Sequence, residues 1–268
     1  MMRLMRITFL GTGTSHGIPV IGCDCTVCRS NDPRNGRLRP SVLVEVGQAR
    51  ILIDATPDFR TQALRAGIRQ LDAVLLTHTH ADHILGLDDL RVFTERAGRA
   101  MPVYGSAKSV ADIQRMFPYA CTDTPAWPSL PRFSMQTVEP NQEFAVGEVK
   151  VRTIELPHGR ASVMGFVFGN EFAYLTDCNA VAPAIVQSLK GVTVLTLDGL
   201  RHRPHPTHLT IATAVTIAGL VGAKLTLLTH LCHEVDHASA ERELPATVRI
   251  AYDDMQIEVN NGAYQSVR

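Results

Sequence analysis

The sequence predicts an α/β fold, and three observations predict it. Short apolar runs of strand length recur along the chain, several ending in Gly, Asp or His. Helical stretches separate many of them. The 268 residues contain no Gly/Ser/Pro-rich linker, so residues 1–268 are expected to form one large domain with a substantial core.

In chain order, residues 6–10 read as a first strand, followed by Gly11-Thr12-Gly13-Thr14, where the glycines permit a tight turn near the site. That stretch resembles a phosphate loop only loosely, since it lacks the Lys-Ser/Thr of the P-loop. A loop at about 22–29 holds Cys23, Cys25 and Cys28. Residues 42–46 and 50–53 form an expected hairpin through Gly47 and Gln48, delivering Asp54, which either orients a metal-bound histidine or serves as a turn residue. A helix over 58–66 precedes a buried strand over 71–76. Further on come a helical stretch over 87–97, short strands around Val103 and a helix from 106 to about Met116. Pro118, Pro125, Trp127, Pro128 and Pro131 then mark an irregular segment, a substrate-facing flap or a dimer contact.

The second half repeats one grammar. Residues 149–156 run into Pro157-His158-Gly159, 172–175 into Thr176-Asp177-Cys178, 192–197 into Asp198, and 225–228 into Thr229-His230. One histidine at a strand end is usually structural, whereas several at matching positions imply convergence on one sheet edge.

The densest chemistry lies at Thr77-His78-Thr79-His80-Ala81-Asp82-His83. Imidazole nitrogens and a carboxylate suit zinc or a similar first-row ion. Four such groups exceed what one catalytic ion with an open position needs, which points to two metals. The cysteine spacing suits a metal better than disulfides, and three thiolates leave one tetrahedral position to be filled from elsewhere. Lys+Arg and Asp+Glu balance at 26 each, so no dedicated nucleic-acid or membrane surface is expected. The N-terminal apolar run is too broken for a signal peptide and no segment approaches spanning length, so a cytoplasmic protein is expected.

The set His78-x-His80-x-Asp82-His83, His158, Asp177 and His230, with Asp54 as a first motif, resembles the metallo-β-lactamase superfamily from about residue 6 to 260. The resemblance implies an αββα sandwich, two mixed sheets face to face with helices outside and a dinuclear site at one edge. It also implies that His78, His80 and His158 hold one ion, that Asp82, His83 and His230 hold the other, and that Asp177 bridges them.

Within the superfamily, the cysteine loop and Leu228-Thr229-His230-Leu231-Cys232-His233 resemble the phosphoribosyl 1,2-cyclic phosphate phosphodiesterase group. This implies a structural zinc on Cys23, Cys25, Cys28 and His233, beside two catalytic ions of zinc or manganese. His208, in the Arg/His run before the helix expected over 211–221, matches that group's general acid. Asp82 and His208 are the residues expected in catalysis, with water activated by the two metals attacking phosphorus in line. The expected substrate is a small cyclic phosphodiester of the phosphoribosyl 1,2-cyclic or nucleoside 2′,3′-cyclic type, and the group suggests a homodimer. A tRNA 3′-processing endonuclease is the nearest alternative, but no basic Gly-rich arm is visible. A glyoxalase II-like thioester hydrolase would need a C-terminal helical domain, for which little chain follows His233. A secreted β-lactamase, a flavodiiron oxidoreductase and a non-enzymatic metal protein fit the signature less well.

Overall fold

The computed structural model describes residues 4–122 and 129–267. Six strands come first: β1 (Met5–Gly11), β2 (Ser41–Val46), β3 (Ala49–Ile53), β4 (Ala73–Leu75), β5 (Met101–Gly105) and β6 (Phe133–Thr137). Seven more make a second sheet: β7 (Glu143–Val146), β8 (Val149–His158), β9 (Ala161–Phe168), β10 (Phe172–Leu175), β11 (Val194–Asp198), β12 (Leu225–Thr229) and β13 (Val248–Ile250). The chain then returns to the first sheet with β14 (Gln256–Asn260) and β15 (Ala263–Ser266), giving the order β15-β14-β1-β2-β3-β4-β5-β6. Both sheets are mixed, with antiparallel pairs on one side and parallel pairs from β3 to β6 and from β10 to β13.

Alternation along the strands decides the layering. Ile51 and Ile53 of β3, with Val42 and Val44 of β2, face Phe166, Phe172, Tyr174 and Leu227 of the other sheet. Leu43 and Leu52 point the opposite way, toward helices α1 (Phe59–Arg65), α3 (Arg91–Ala97) and α4 (Ala107–Met116). The single-turn helix α2 (Ala81–Ile84) lies between α1 and α3 in the chain. Helices α5 (Pro183–Ser188), α6 (Ile211–Val221) and α7 (His237–Glu243) cover the outer face of the second sheet. Strands buried on both faces read as continuous apolar runs rather than as alternating ones. The result is the expected αββα sandwich. Among the described residues no helix is long and apolar enough to cross a membrane.

Several expectations needed adjustment. The strand expected to stop at residue 156 continues to His158, so that histidine is the last residue of β8. The helical stretch over 87–97 is a 3₁₀ turn, Leu87–Leu90, followed by α3. Gly11 ends β1 and makes no turn; a Cβ there would stand 1.9 Å from the Arg39 carbonyl oxygen, so glycine is needed for close backbone approach. Thr12 and Thr14 then exchange backbone hydrogen bonds with Leu231, at 3.0 and 3.1 Å, beside His230. Pro125, Trp127 and Pro128 of the expected flap lie outside the described residues.

A buried arginine ties the N-terminal loop to the C-terminal third. Arg37 donates to the Thr12 hydroxyl (2.8 Å), the Ala251 carbonyl (2.6 Å) and His237 Nδ1 (3.1 Å). Burial and the neighbouring Arg37 charge hold the His237 imidazole down to about 4. A neutral ring in the folded state and a basic ring in the unfolded chain make this contribution complete above pH 6.5 and lost as pH falls through 4. The stability deficit of His237→Gln relative to the parent should therefore widen from pH 4 to pH 6.5 and then level off, as read from urea midpoints. A deficit independent of pH would show that His237 does not titrate this way.

Candidate metal centre

Six strands deliver the site at one edge of the sandwich. Asp54 follows β3 and the His78–His83 stretch follows β4, while His158 ends β8, Asp177 follows β10, Asp198 ends β11 and His230 follows β12. Asp54, Asp177 and His230 adopt left-handed backbone, with φ of 60°, 53° and 60°. Non-glycine residues rarely occupy this region, and each costs about 1 kcal/mol or more. In each case the chain turns sharply off its strand and aims the side chain into the edge.

The structure brings His78, His80 and His158 together, with ligand atoms within 4.8 Å of one another. It does the same for Asp82, His83 and His230, and for His78, His83 and Asp177. Asp177 lies between the two clusters, its carboxylate oxygens 3.3 Å from His83 Nε2 and 3.1 Å from His230 Nε2. His80 is exposed and the other members are buried.

Hydrogen bonds fix which nitrogen each ring presents. Asp54, fully buried, accepts from the Thr77 amide (2.8 Å), the Thr77 hydroxyl (2.7 Å) and His83 Nδ1 (2.7 Å). Because the Thr77 hydroxyl donates to Asp54, its oxygen is left to accept from His78 Nδ1 at 3.0 Å. His158 Nδ1 donates to the Thr207 carbonyl at 3.0 Å. All three rings therefore offer Nε2 lone pairs inward. The Nε2 atoms of His78, His83 and His230 are buried without aligned hydrogen bonds. Left so, the His78 nitrogen would cost about 1–3 kcal/mol, which a cation relieves, while those of His83 and His230 face the Asp177 carboxylate.

The electrostatics agree. Burial opposes the charge on His230, but Asp177 and Asp82 outweigh it and push that imidazole up to about 10. Burial likewise opposes ionisation of Asp177, yet His230 and His83 hold it well below the usual carboxylate range. The carboxylates favour positive charge beside His83 and His230, which a cation would supply in place of a proton, whereas burial holds His78 and His158 below the usual imidazole range. The donor set of imidazole and carboxylate fits divalent first-row ions.

A second cluster joins the two ends of the chain. The Sγ atoms of Cys23, Cys25 and Cys28 lie 3.3, 3.6 and 3.5 Å from His233 Nδ1. A hydrogen bond from the Cys28 amide helps bring the Cys25 thiol down to about 6, favouring the thiolate. Three sulfurs and one imidazole nitrogen suit a closed tetrahedral zinc site.

His208 stands beside the first centre, its ring 4.7 Å from that of His230 and 5.0 Å from that of His158. Its partner was missed from sequence. Asp198, noted only as a strand end, is fully buried and accepts from His208 Nδ1 at 2.7 Å and from the Cys178 amide at 3.1 Å. The recurrence of Asp and His at strand ends was the available signal, but nothing in sequence could pair these two.

This edge, with its histidines and aspartates on two mixed sheets, defines a class of metal-binding αββα proteins. Residues 49–231 match the family described as Beta-lactamase superfamily domain, more than half of the chain, and the chain belongs to that family. Membership implies divalent-metal binding, and the residues present fit it.

Among individual relatives, a crystal structure described as a new diphosphatase from the PhnP family is 40% identical with a TM-score of 0.89, covering 100% of both chains. An octanoyltransferase of Porphyromonas gingivalis is 40% identical over 259 residues, 94% of this chain and 51% of that protein. A ribonuclease Z of Bradyrhizobium sp. is 31% identical over 140 residues, 51% of this chain and 46% of that protein. The chain thus spans about half the length of these curated relatives.

Removing the carboxylate that orients two of the rings should loosen the centre without emptying the core. Asp54→Asn should weaken metal affinity by about 10–100-fold. Competition with a chromogenic chelator measures this, and unchanged affinity would show that Asp54 is only a turn residue.

Proposed function

We propose that the chain is a dinuclear-metal phosphodiesterase acting on small cyclic phosphodiesters, of the phosphoribosyl 1,2-cyclic or nucleoside 2′,3′-cyclic type. In this reading His78, His80 and His158 would hold one ion, Asp82, His83 and His230 would hold its neighbour, and Asp177 would serve both. When bound, two such ions, of zinc or manganese, neutralise phosphoryl charge and lower the pKa of water. Cys23, Cys25, Cys28 and His233 hold a structural zinc.

The observation that carries the reading is the His208–Asp198 pair at the rim of the centre. An alkoxide is a poor leaving group and gains most from protonation as the bond to phosphorus breaks. Asp198 fixes the His208 tautomer with Nδ1–H toward the carboxylate, so Nε2 is the atom that meets the leaving oxygen. A thioester hydrolase has less need of such a donor, since a thiolate leaves readily.

The 40% identity with a PhnP-family diphosphatase over the full chain supports phosphorus chemistry. It also favours a second reading, cleavage of a phosphoanhydride, in which His208 would protonate a phosphate leaving group. Octanoyl transfer is said of a protein about twice as long as the match.

The deciding experiment is a hydrolysis screen of the metal-loaded protein on bis(p-nitrophenyl) phosphate, nucleoside 2′,3′-cyclic phosphates, a nucleoside diphosphate, a β-lactam and a thioester. Cleavage of the diesters is expected. Cleavage of the diphosphate alone would favour the second reading, and of the thioester alone would overturn both. His208→Ala should keep its metal content and lose about 10²–10⁴-fold in diesterase turnover; full turnover would remove the proton-donor role. Cys28→Ser should lower total zinc by one ion per chain and reduce the melting temperature. An unchanged zinc content would leave the cysteine cluster without a structural metal.

A further inference from the structure

A cavity of about 280 Å³ lies where α7 meets the returning strands β14 and β15, and no residue of the two histidine clusters or the cysteine cluster lines it. Leu225, Met255 and Ile257 give it apolar surface, and Tyr252 and Tyr264 give it aromatic surface. Cavities of this makeup bind small molecules when a few fixed polar groups set the orientation. His237 and Glu241 are those groups here.

Hydrogen bonds decide what each of them presents. A guanidinium only donates, so the bond from Arg37 makes His237 Nδ1 an acceptor and leaves the ring proton on Nε2. That side chain is 2% exposed, and the His237 amide donates to Asn35 Oδ1 at 2.8 Å, so the ring is held in place. Its Nε2–H faces the Glu241 carboxylate across 3.8 Å, beyond hydrogen-bond reach. Glu241 in turn accepts from the Ile250 amide at 2.9 Å and from Arg249 at 3.1 Å, which fixes the carboxylate and leaves lone pairs for a ligand. The cavity thus holds a nearly buried donor with no acceptor among the described residues, next to an immobilised acceptor. Arg34 and Arg249 also line it, but Asp32 and Glu241 offset their charges, so the site suits a neutral ligand.

We propose that this cavity binds the base of an oxopurine nucleoside, hypoxanthine or guanine, by its lactam edge. On that edge a ring carbonyl adjoins an N–H, so the carbonyl accepts from His237 Nε2–H and the N–H donates to Glu241. A donor and an acceptor 3.8 Å apart, too distant to satisfy each other, are spaced for two such parallel bonds. Adenine reverses the pattern, setting an amino donor against His237 and a ring acceptor against Glu241. Uracil has a lactam edge, but its second carbonyl flanks the N–H and would meet the carboxylate. The tyrosines favour any planar base, so His237 and Glu241 carry the discrimination. This site is independent of the phosphodiesterase reading.

Calorimetry of the metal-loaded protein with inosine, adenosine, uridine and N1-methylinosine reads the pattern without a phosphate that the metal centre could capture. Inosine should bind at one site per chain. The other three should bind about tenfold or more weakly, each having lost, reversed or opposed a hydrogen bond. Tyr264→Ala, at a position 40% exposed, should weaken inosine about tenfold by removing a stacking surface. Glu241→Gln should bring the inosine-to-adenosine ratio toward one, because an amide can donate as well as accept. The nucleoside series on the parent protein decides the matter even where a variant folds poorly. Absence of inosine binding, equal affinity for all four nucleosides, or a ratio unmoved by Glu241→Gln would overturn the site.

Discussion

The carboxylate of Asp54 is the constraint on which the edge of this sandwich depends. It sits at the end of β3, takes three hydrogen bonds, and through Thr77 and His83 determines the orientation of rings from both histidine clusters. The left-handed backbone at Asp54 and the burial of its charge are both unfavourable. Both persist because β3 and β4 pair in parallel and hold Asp54 against Thr77. One side chain thus converts sheet register into ligand orientation. A shift in the β3–β4 pairing would misplace His78 and His83 together.

The opposite side of the edge is built differently. His158, Asp177, Asp198 and His230 come from separate strands of the second sheet, and the parallel β10–β11–β12 run sets Asp177, Asp198 and His230 side by side. The loop after β12 is anchored twice, by backbone bonds between Leu231 and the Thr12–Thr14 segment and by the cysteine cluster around His233. His230 therefore sits between two points of attachment to the N-terminal part of the chain. A zinc bound at the cysteines would brace a ligand of the other centre through a spacer of two residues.

Much of this was legible in sequence because the signals were local. The six-residue motif, the strand-end residues and the cysteine spacing each sit within a few positions, and the structure brings their ligand atoms close together. Helix α6 was readable to its ends, since Thr210 caps it and Gly222 closes it in left-handed conformation. What sequence could not supply was pairing across long separations. The Asp198–His208 contact, the burial of Arg37 against His237, and the close approach of Gly11 to Arg39 depend on where sheets and loops meet. Edge strands such as β7 and β15, short and largely exposed, carry too little apolar pattern to announce themselves.

Each histidine cluster draws on both sheets: His78 and His80 need His158, and Asp82 and His83 need His230. The cysteines near residue 25 likewise need His233. A nascent chain would carry two of the three ligands of each histidine cluster and three of the four at the cysteines, and could complete none of these sets before its second half is made. Tight metal capture then waits on the second half of the chain, so a product truncated before it would hold scarce ions only weakly.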